Sequence, residues 1–98
     1  MSADGYWNLV LKTPVGERKA TMTLASVGET LTGRQVAEGR SVDIFDGKVS
    51  GDDLSWKISV TEPMPLTLTF KAHVAGDTMS GTADIGWMAS FTFSGTRD

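Results

Sequence analysis

The sequence predicts an all-β protein, an antiparallel up-and-down barrel of about eight strands, with a two-sheet β-sandwich as the alternative. Three observations support this class. A short turn pattern occurs three times, apolar and polar residues alternate between the copies, and no window of helical length has apolar residues at the 3.6-residue spacing of an amphipathic helix. The 98 residues suffice for one hydrophobic core, so we expect a single domain over residues 1–98.

The repeated turn pattern begins at Gly28, Gly51 and Gly76, which lie 23 and 25 residues apart. In each copy an acidic residue follows the glycine, and after one further residue come an apolar residue and a Ser or Thr. Glycine next to Asp or Glu is typical of tight turns, because glycine adopts positive φ without steric cost. A period of about two dozen residues holds two strands and two connections, as in an antiparallel meander. The three turns are therefore predicted to be hairpins at one end of the molecule.

The alternation of apolar and polar residues predicts the positions of the strands. They are expected near 5–13, 18–26, 30–37, 41–49, 53–61, 66–75, 78–85 and 88–96. A sheet with one apolar face must bury that face, and closure into a barrel does so while removing both edges. The segment DIFDG (43–47) places two carboxylates around an apolar pair, and it is predicted to be a bend in the fourth strand rather than an acid–base pair.

The predicted interior has small side chains on two strands. An eight-stranded barrel is either filled by its own side chains or holds one small ligand. The inward positions of the third and seventh predicted strands are Leu31, Gly33, Gln35, Ala37, Met79, Gly81, Ala83 and Ile85. This composition predicts room for a ligand.

Composition excludes several classes of function. With no cysteine and one histidine, the chain lacks the ligand clusters of transition-metal sites, so we expect neither a metal nor another cofactor. The net charge of −3 and the scattered Lys and Arg residues argue against nucleic acid as a partner. No apolar run is long enough to cross a bilayer, and the chain has no signal-peptide pattern, so we expect a cytoplasmic protein without a membrane partner.

The four connections opposite the hairpins carry the apolar residues that predict a binding site. They span 13–18, 37–41, 61–65 and 84–89 and contain all three prolines. Apolar side chains in exposed connections at the mouth of a barrel favour a portal for a small apolar or aromatic molecule. The candidate ligand-binding residues are Val15, Gln35, Arg40, Met64, Trp87 and Met88. Two alternatives stay open for these loops, namely a cork that closes the barrel and a contact between subunits.

Two other classes of function are weighed against binding. The first is a barrel enzyme of the cyclase or isomerase type, in which Glu62 at the mouth is the candidate base, because apolar surroundings raise the pKa of a carboxyl. His73 is not favoured as a catalytic residue, since its place in the alternation predicts an exposed outer position. The second is a non-catalytic homo-oligomeric module whose mouth loops pack on another chain. The outward face also has four apolar residues, Tyr6, Val10, Val36 and Phe45, which leave self-association open.

The two ends of the chain resemble those of lipocalin-like, or calycin, barrels. Gly5-Tyr6-Trp7 opens the first predicted strand, and Gly95-Thr96-Arg97 closes the last. The resemblance implies that Trp7 plugs one end of the barrel and that Arg97 covers the indole. The chain is also similar to small bacterial lipocalin-like domains, whose pattern is matched by Gly5, Trp7, Pro14, Gly16, Leu31 and Gly33. This second resemblance implies a fold and no particular activity.

Overall fold

The computed structural model describes residues 4–13, 16–37, 39–60, 66–85 and 89–97. These residues form nine antiparallel strands, and none of them belongs to a helix that could cross a membrane. The strands are β1 (Gly5–Thr13), β2 (Gly16–Val27), β3 (Thr30–Ala37), β4 (Arg40–Asp43), β5 (Phe45–Ser50), β6 (Asp53–Val60), β7 (Leu66–Ala75), β8 (Thr78–Ile85) and β9 (Ala89–Arg97).

Eight of the strands close into a barrel. They pair in the order β1, β2, β3, β5, β6, β7, β8 and β9, and β9 pairs with β1. The additional strand β4 pairs with β3. The prediction of an eight-stranded antiparallel barrel is confirmed, and the pairing of β2 with β3 closes the sheet that a sandwich would leave open. One boundary was wrong, because the strand predicted over 41–49 is divided at Ile44 into β4 and β5, where the predicted bend lies.

The core is built from the inward side chains of every long strand. Its centre is aromatic: Trp56 stacks on Phe70 with ring centroids 5.3 Å apart, and Phe93 meets both rings edge-on. Trp7 and Trp56 are fully buried, as predicted, whereas Trp87 lies outside the described residues. Each large apolar side chain buried in this way stabilises the fold by about 1.5–3 kcal/mol.

Three glycines allow neighbouring strands to approach closely. An added Cβ at Gly33, Gly47 or Gly81 would overlap a carbonyl oxygen of the adjacent strand. Gly33 and Gly81 each lie five residues after a repeated turn glycine, and Trp56 occupies the same place in the middle copy. The repeat thus provides close backbone contact in two copies and a large core side chain in the third.

The three repeated turns lie together at one end of the barrel, which we call the hairpin end. Gly28, Gly51 and Gly76 have φ values of 62°, 61° and 62°, the left-handed conformation predicted for Gly51 and Gly76. The backbone carbonyl of the acidic residue in each turn accepts a hydrogen bond from an adjacent strand. The donors are the N–H groups of Val49 to Glu29 at 2.9 Å, Val74 to Asp52 at 2.8 Å and Arg97 to Asp77 at 2.8 Å. Each copy of the sequence repeat therefore forms the same tie.

Trp7 and Arg97 close the hairpin end. The Arg97 guanidinium carbon lies 4.6 Å from the centroid of the Trp7 ring, a cation–π contact. The two terminal nitrogens of Arg97 donate to the carbonyls of Asp4 and Gly76, each at 2.7 Å. The plug and cover implied by the lipocalin resemblance are present as contacts, and they join both ends of the described chain to a repeated turn.

Candidate functional site

The end of the barrel opposite the hairpin end, where β1, β3, β6 and β8 finish, is called the loop end. Val15, Met64, Trp87 and Met88, together with the candidate base Glu62, lie outside the described residues. Gln35 and Arg40 are described, and they lie on the paired strands β3 and β4. The pairing sets Gln35 opposite Val42 and Ala37 opposite Arg40, so the two predicted residues are neighbours on one hairpin.

Gln35 is the buried polar residue of the barrel interior. It is 5% exposed, and its cross-strand neighbours are Met22 on β2 and Val42 on β4. No hydrogen-bond donor in the described part of the chain reaches its side-chain oxygen, Oε1. A buried acceptor without a partner costs about 1–3 kcal/mol of folding free energy. Buried polar atoms are nearly always paired in proteins, so this oxygen is a candidate contact for a bound molecule.

A second buried polar atom, Nε1 of Trp56, also has no partner among the described residues. Trp56 is fully buried in the middle of the barrel, between the rings of Phe70 and Phe93. This packing separates its Nε1 from the surface. Gln35 therefore remains the better placed of the two atoms to contact a ligand.

Most of the partly buried apolar side chains that pack on the core lie toward the loop end, and Val49, near the hairpin end, is an exception. Along β1 the exposure rises from 0% at Trp7 to 1% at Leu9 and 8% at Leu11. Nearer the loop end, several inward apolar side chains are only partly buried against the core. They are Ala37, Val42, Leu68 and Phe91. These residues give the loop end a partly exposed apolar lining.

Arg40 differs from Gln35 in its surroundings. It is exposed at the start of β4, and its position opposite Ala37 places it beside the partly buried lining. Asp43, at the other end of β4, pairs with Arg34 through a 2.9 Å contact on the outer face. Both ends of this short strand therefore carry charged side chains in solvent.

Strand pairing is interrupted between β4 and β6, although the two strands remain in contact. β4 pairs with β3, β6 pairs with β5 and β7, and no ladder joins β4 to β6 within the described ranges. The interruption follows a β-bulge, in which Asp46 and Gly47 together oppose Trp56. Asp46 has φ of 51°, the one non-glycine residue with positive φ in the part of the chain described. We call the unpaired boundary between β4 and β6 the seam.

The outer face carries a second group of polar residues. His73 Nδ1 lies 2.9 Å from Asp53 Oδ1, and Ser80 is the cross-strand neighbour of His73. This hydrogen bond, with the charges of Asp53 and Asp52, raises the pKa of His73 above its ordinary value. The side chains of His73, Asp53 and Ser80 are exposed on an open surface depression of about 530 Å³. His73 is exposed, as predicted, and nothing there excludes water from a reacting group.

The outward apolar residues do not form one stripe. Val10 and Val36 line a shared depression of about 540 Å³ across β1, β2 and β3. Phe45 lies on β5 opposite Lys57, and Tyr6 lies opposite Thr23. No group of three or more His, Cys, Asp or Glu residues that could hold a metal ion is formed by the residues described.

The sequence did not single out the lining residues Val42, Leu68 and Phe91. Their alternation with polar neighbours marked Leu68 and Phe91 as core residues, and this signal is the same for a fully buried and a half-buried position. The distance of each residue from the hairpin end, counted along its strand, was the signal that could have separated half-buried from fully buried positions.

No protein-family model, curated protein or solved structure gives a significant match to this chain. The structure shows a closed eight-stranded antiparallel barrel, which is consistent with a lipocalin-like fold.

Proposed function

We propose that the protein binds a small apolar or aromatic molecule at the loop end of the barrel, and that the molecule donates a hydrogen bond to Gln35. The observation that carries the proposal is the buried Oε1 of Gln35, which has no donor among the described residues. A ligand N–H or O–H would donate a hydrogen bond to this acceptor. The cost of leaving the buried oxygen unpaired would then be relieved, which would contribute to the affinity. The apolar body of the ligand would contact the lining.

The gradient of burial supports this placement. The hairpin end is closed by Trp7 and Arg97, and the middle is filled by Trp56, Phe70 and Phe93. Most of the partly buried apolar residues that pack on the core lie toward the loop end, among them Leu68 and Phe91. Covering apolar surface contributes about 25 cal/mol per Å², which is the main source of affinity in small pockets.

The candidate residues Val15, Met64, Trp87 and Met88 extend the same proposal into the loops. In the sequence they follow the ends of β1, β6 and β8, which finish at the loop end. Apolar and aromatic side chains there would cover a flat ligand. We assign no reaction, and Glu62 is proposed only as a polar neighbour of the same site.

A pair of isosteric probes tests the proposal. Indole and benzofuran have nearly the same shape and apolar area, but indole donates a hydrogen bond through its N–H and benzofuran cannot. We expect indole to bind with one-to-one stoichiometry and about five- to tenfold more tightly than benzofuran, as one net hydrogen bond predicts. Calorimetric titration gives the affinities, and amide chemical shifts of Gln35 and Val42 locate the site. Equal affinities, or shifts confined to the outer face, would contradict the proposal.

A further inference from the structure

We propose that the seam between β4 and β6 is the route by which the ligand enters the barrel, and that it selects flat, narrow molecules that carry their donor group at the leading edge. This inference rests on the ligand-binding function proposed above. It adds a side entrance in the barrel wall to the mouth between the loops.

The backbone geometry shows which groups face the seam. Ile44 N–H donates to Gly33 O at 3.1 Å, so Ile44 and Gly33 form a hydrogen-bonded pair. Hydrogen-bonded and non-hydrogen-bonded pairs alternate along an antiparallel ladder, which makes Val42 and Gln35 the next hydrogen-bonded pair. The peptide groups of Ser41 and Asp43 therefore point away from β3. On β6, the bond from Val74 N–H to Asp52 O fixes the alternation that turns the peptide groups of Ser59 away from β7. These groups face each other across the seam without forming a ladder.

The bulge explains why the strands separate at this point. Phe45 still pairs with Lys57, and the same register continued by two residues would set Asp43 opposite Ser59. The extra residue at Asp46–Gly47 instead bends the strand, and β4 continues on β3 alone. Left-handed backbone is unfavourable for a residue with a Cβ, and such strain is concentrated at functional sites. The separation is therefore a built feature of the wall.

The seam leads directly to the proposed acceptor. Val42 forms its inner rim on β4, is partly buried, and is the cross-strand partner of Gln35. A ring that passes between β4 and β6 would contact Val42 and then present its leading edge to Gln35 Oε1. Peptide edges on both sides favour a planar molecule over a bulky one, because a wide group would have to displace β4 from β3.

A disulfide clamp across the seam tests this route. The chain has no cysteine, so Asp43→Cys with Ser59→Cys introduces one bridge without competing thiols. The matched control is Asp84→Cys with Ser90→Cys, which bridges a rung that is already paired at the loop end. We expect oxidation of the seam clamp to slow indole association and dissociation at least tenfold while changing the affinity by less than about threefold. The control clamp should leave both rates unchanged when measured by exchange-sensitive nuclear magnetic resonance.

A second measurement tests the seam without any ligand. If β4 swings open, the amide of Val42 should exchange with deuterated solvent at least tenfold more slowly in the oxidised seam clamp than in the reduced protein. Unchanged exchange of the Val42 amide in the oxidised seam clamp would contradict the seam as the entry route, whether or not indole binds. Unchanged indole rates in the clamp would also overturn it and leave the ligand-binding function standing, whereas failure of indole to bind the unmodified protein would overturn that function by itself.

Discussion

The hairpin end and the loop end of this barrel are built from the same strands but are held together differently. At the hairpin end, three copies of one turn each accept a hydrogen bond from an adjacent strand, and Arg97 ties the termini over Trp7. At the loop end, β4 does not pair with β6, and the buried side-chain oxygen of Gln35 has no hydrogen-bond donor among the described residues. Stability concentrated at one end permits an incompletely satisfied site at the other.

Removal of the Arg97 side chain should have the largest effect on this comparison. Arg97→Ala loses the contact with Trp7, two hydrogen bonds from the guanidinium and the 3.3 Å contact with Asp77. We expect a loss of about 3 kcal/mol in the free energy of unfolding. The matched change at the loop end, Arg40→Ala, should cost less than about 0.5 kcal/mol because Arg40 is exposed. Urea unfolding gives both values, and similar losses would contradict the proposed division of stability.

Substitution of the repeated turn glycines should have the next largest effect. Gly51→Val and Gly76→Val place a β-branched side chain at φ values of 61° and 62°. We expect each to cost about 2 kcal/mol, because no branched residue adopts this conformation readily. Ser50→Val, at an exposed strand position before the same turn, is the control and should change little. An unchanged free energy of unfolding in both glycine variants would show that the turns do not stabilise the hairpin end.

The hairpin end was largely predictable from the sequence and the loop end was not. The turn glycines and the alternation of strand residues are local patterns, and local chemistry determines their structure. The contact of Trp7 with Arg97 joins distant residues, and it was implied by the resemblance of the two ends of the chain to lipocalin-like barrels. The seam depends on which strands pair beyond the bulge. The segment DIFDG predicts a bend, but it does not predict which neighbouring strand stops pairing there. Gln35 was predicted to face inward, but the absence of a donor depends on side chains brought from β2 and β4 by the fold.

The β-bulge at Asp46 lies between the hairpin end and the loop end, and the strain of its backbone should be measurable. Asp46→Val places a β-branched residue at φ of 51°, and we expect a loss of about 1 kcal/mol. Asp46→Gly is the conservative control and should cause no loss, since glycine adopts this conformation freely and the Asp46–Lys57 ion pair is exposed. Denaturant unfolding compares the variants. Greater tolerance of Val than of Gly would contradict the assigned backbone conformation.

The smallest expected effect is the pH dependence at His73. Its pKa is raised by the hydrogen bond to Asp53, so protonated His73 favours the folded state below the unfolded pKa. This contribution should disappear as the pH rises through the folded pKa, and it should be slight because the pair is exposed. Nuclear magnetic resonance titration should show a lower pKa in Asp53→Asn than in the unmodified protein. The same value in both would rule out the hydrogen bond as the cause.

Gln35→Met tests the central claim most directly, because it removes the buried acceptor while keeping the size and flexibility of the side chain. If Oε1 is an unpaired atom kept for a ligand, the variant should gain about 1 kcal/mol in the free energy of unfolding and should bind indole no more tightly than benzofuran. Thermal unfolding and calorimetric titration of the same samples measure the two effects together. A less stable variant that still prefers indole to the same extent would show that Gln35 serves the fold alone, and would contradict the proposed site.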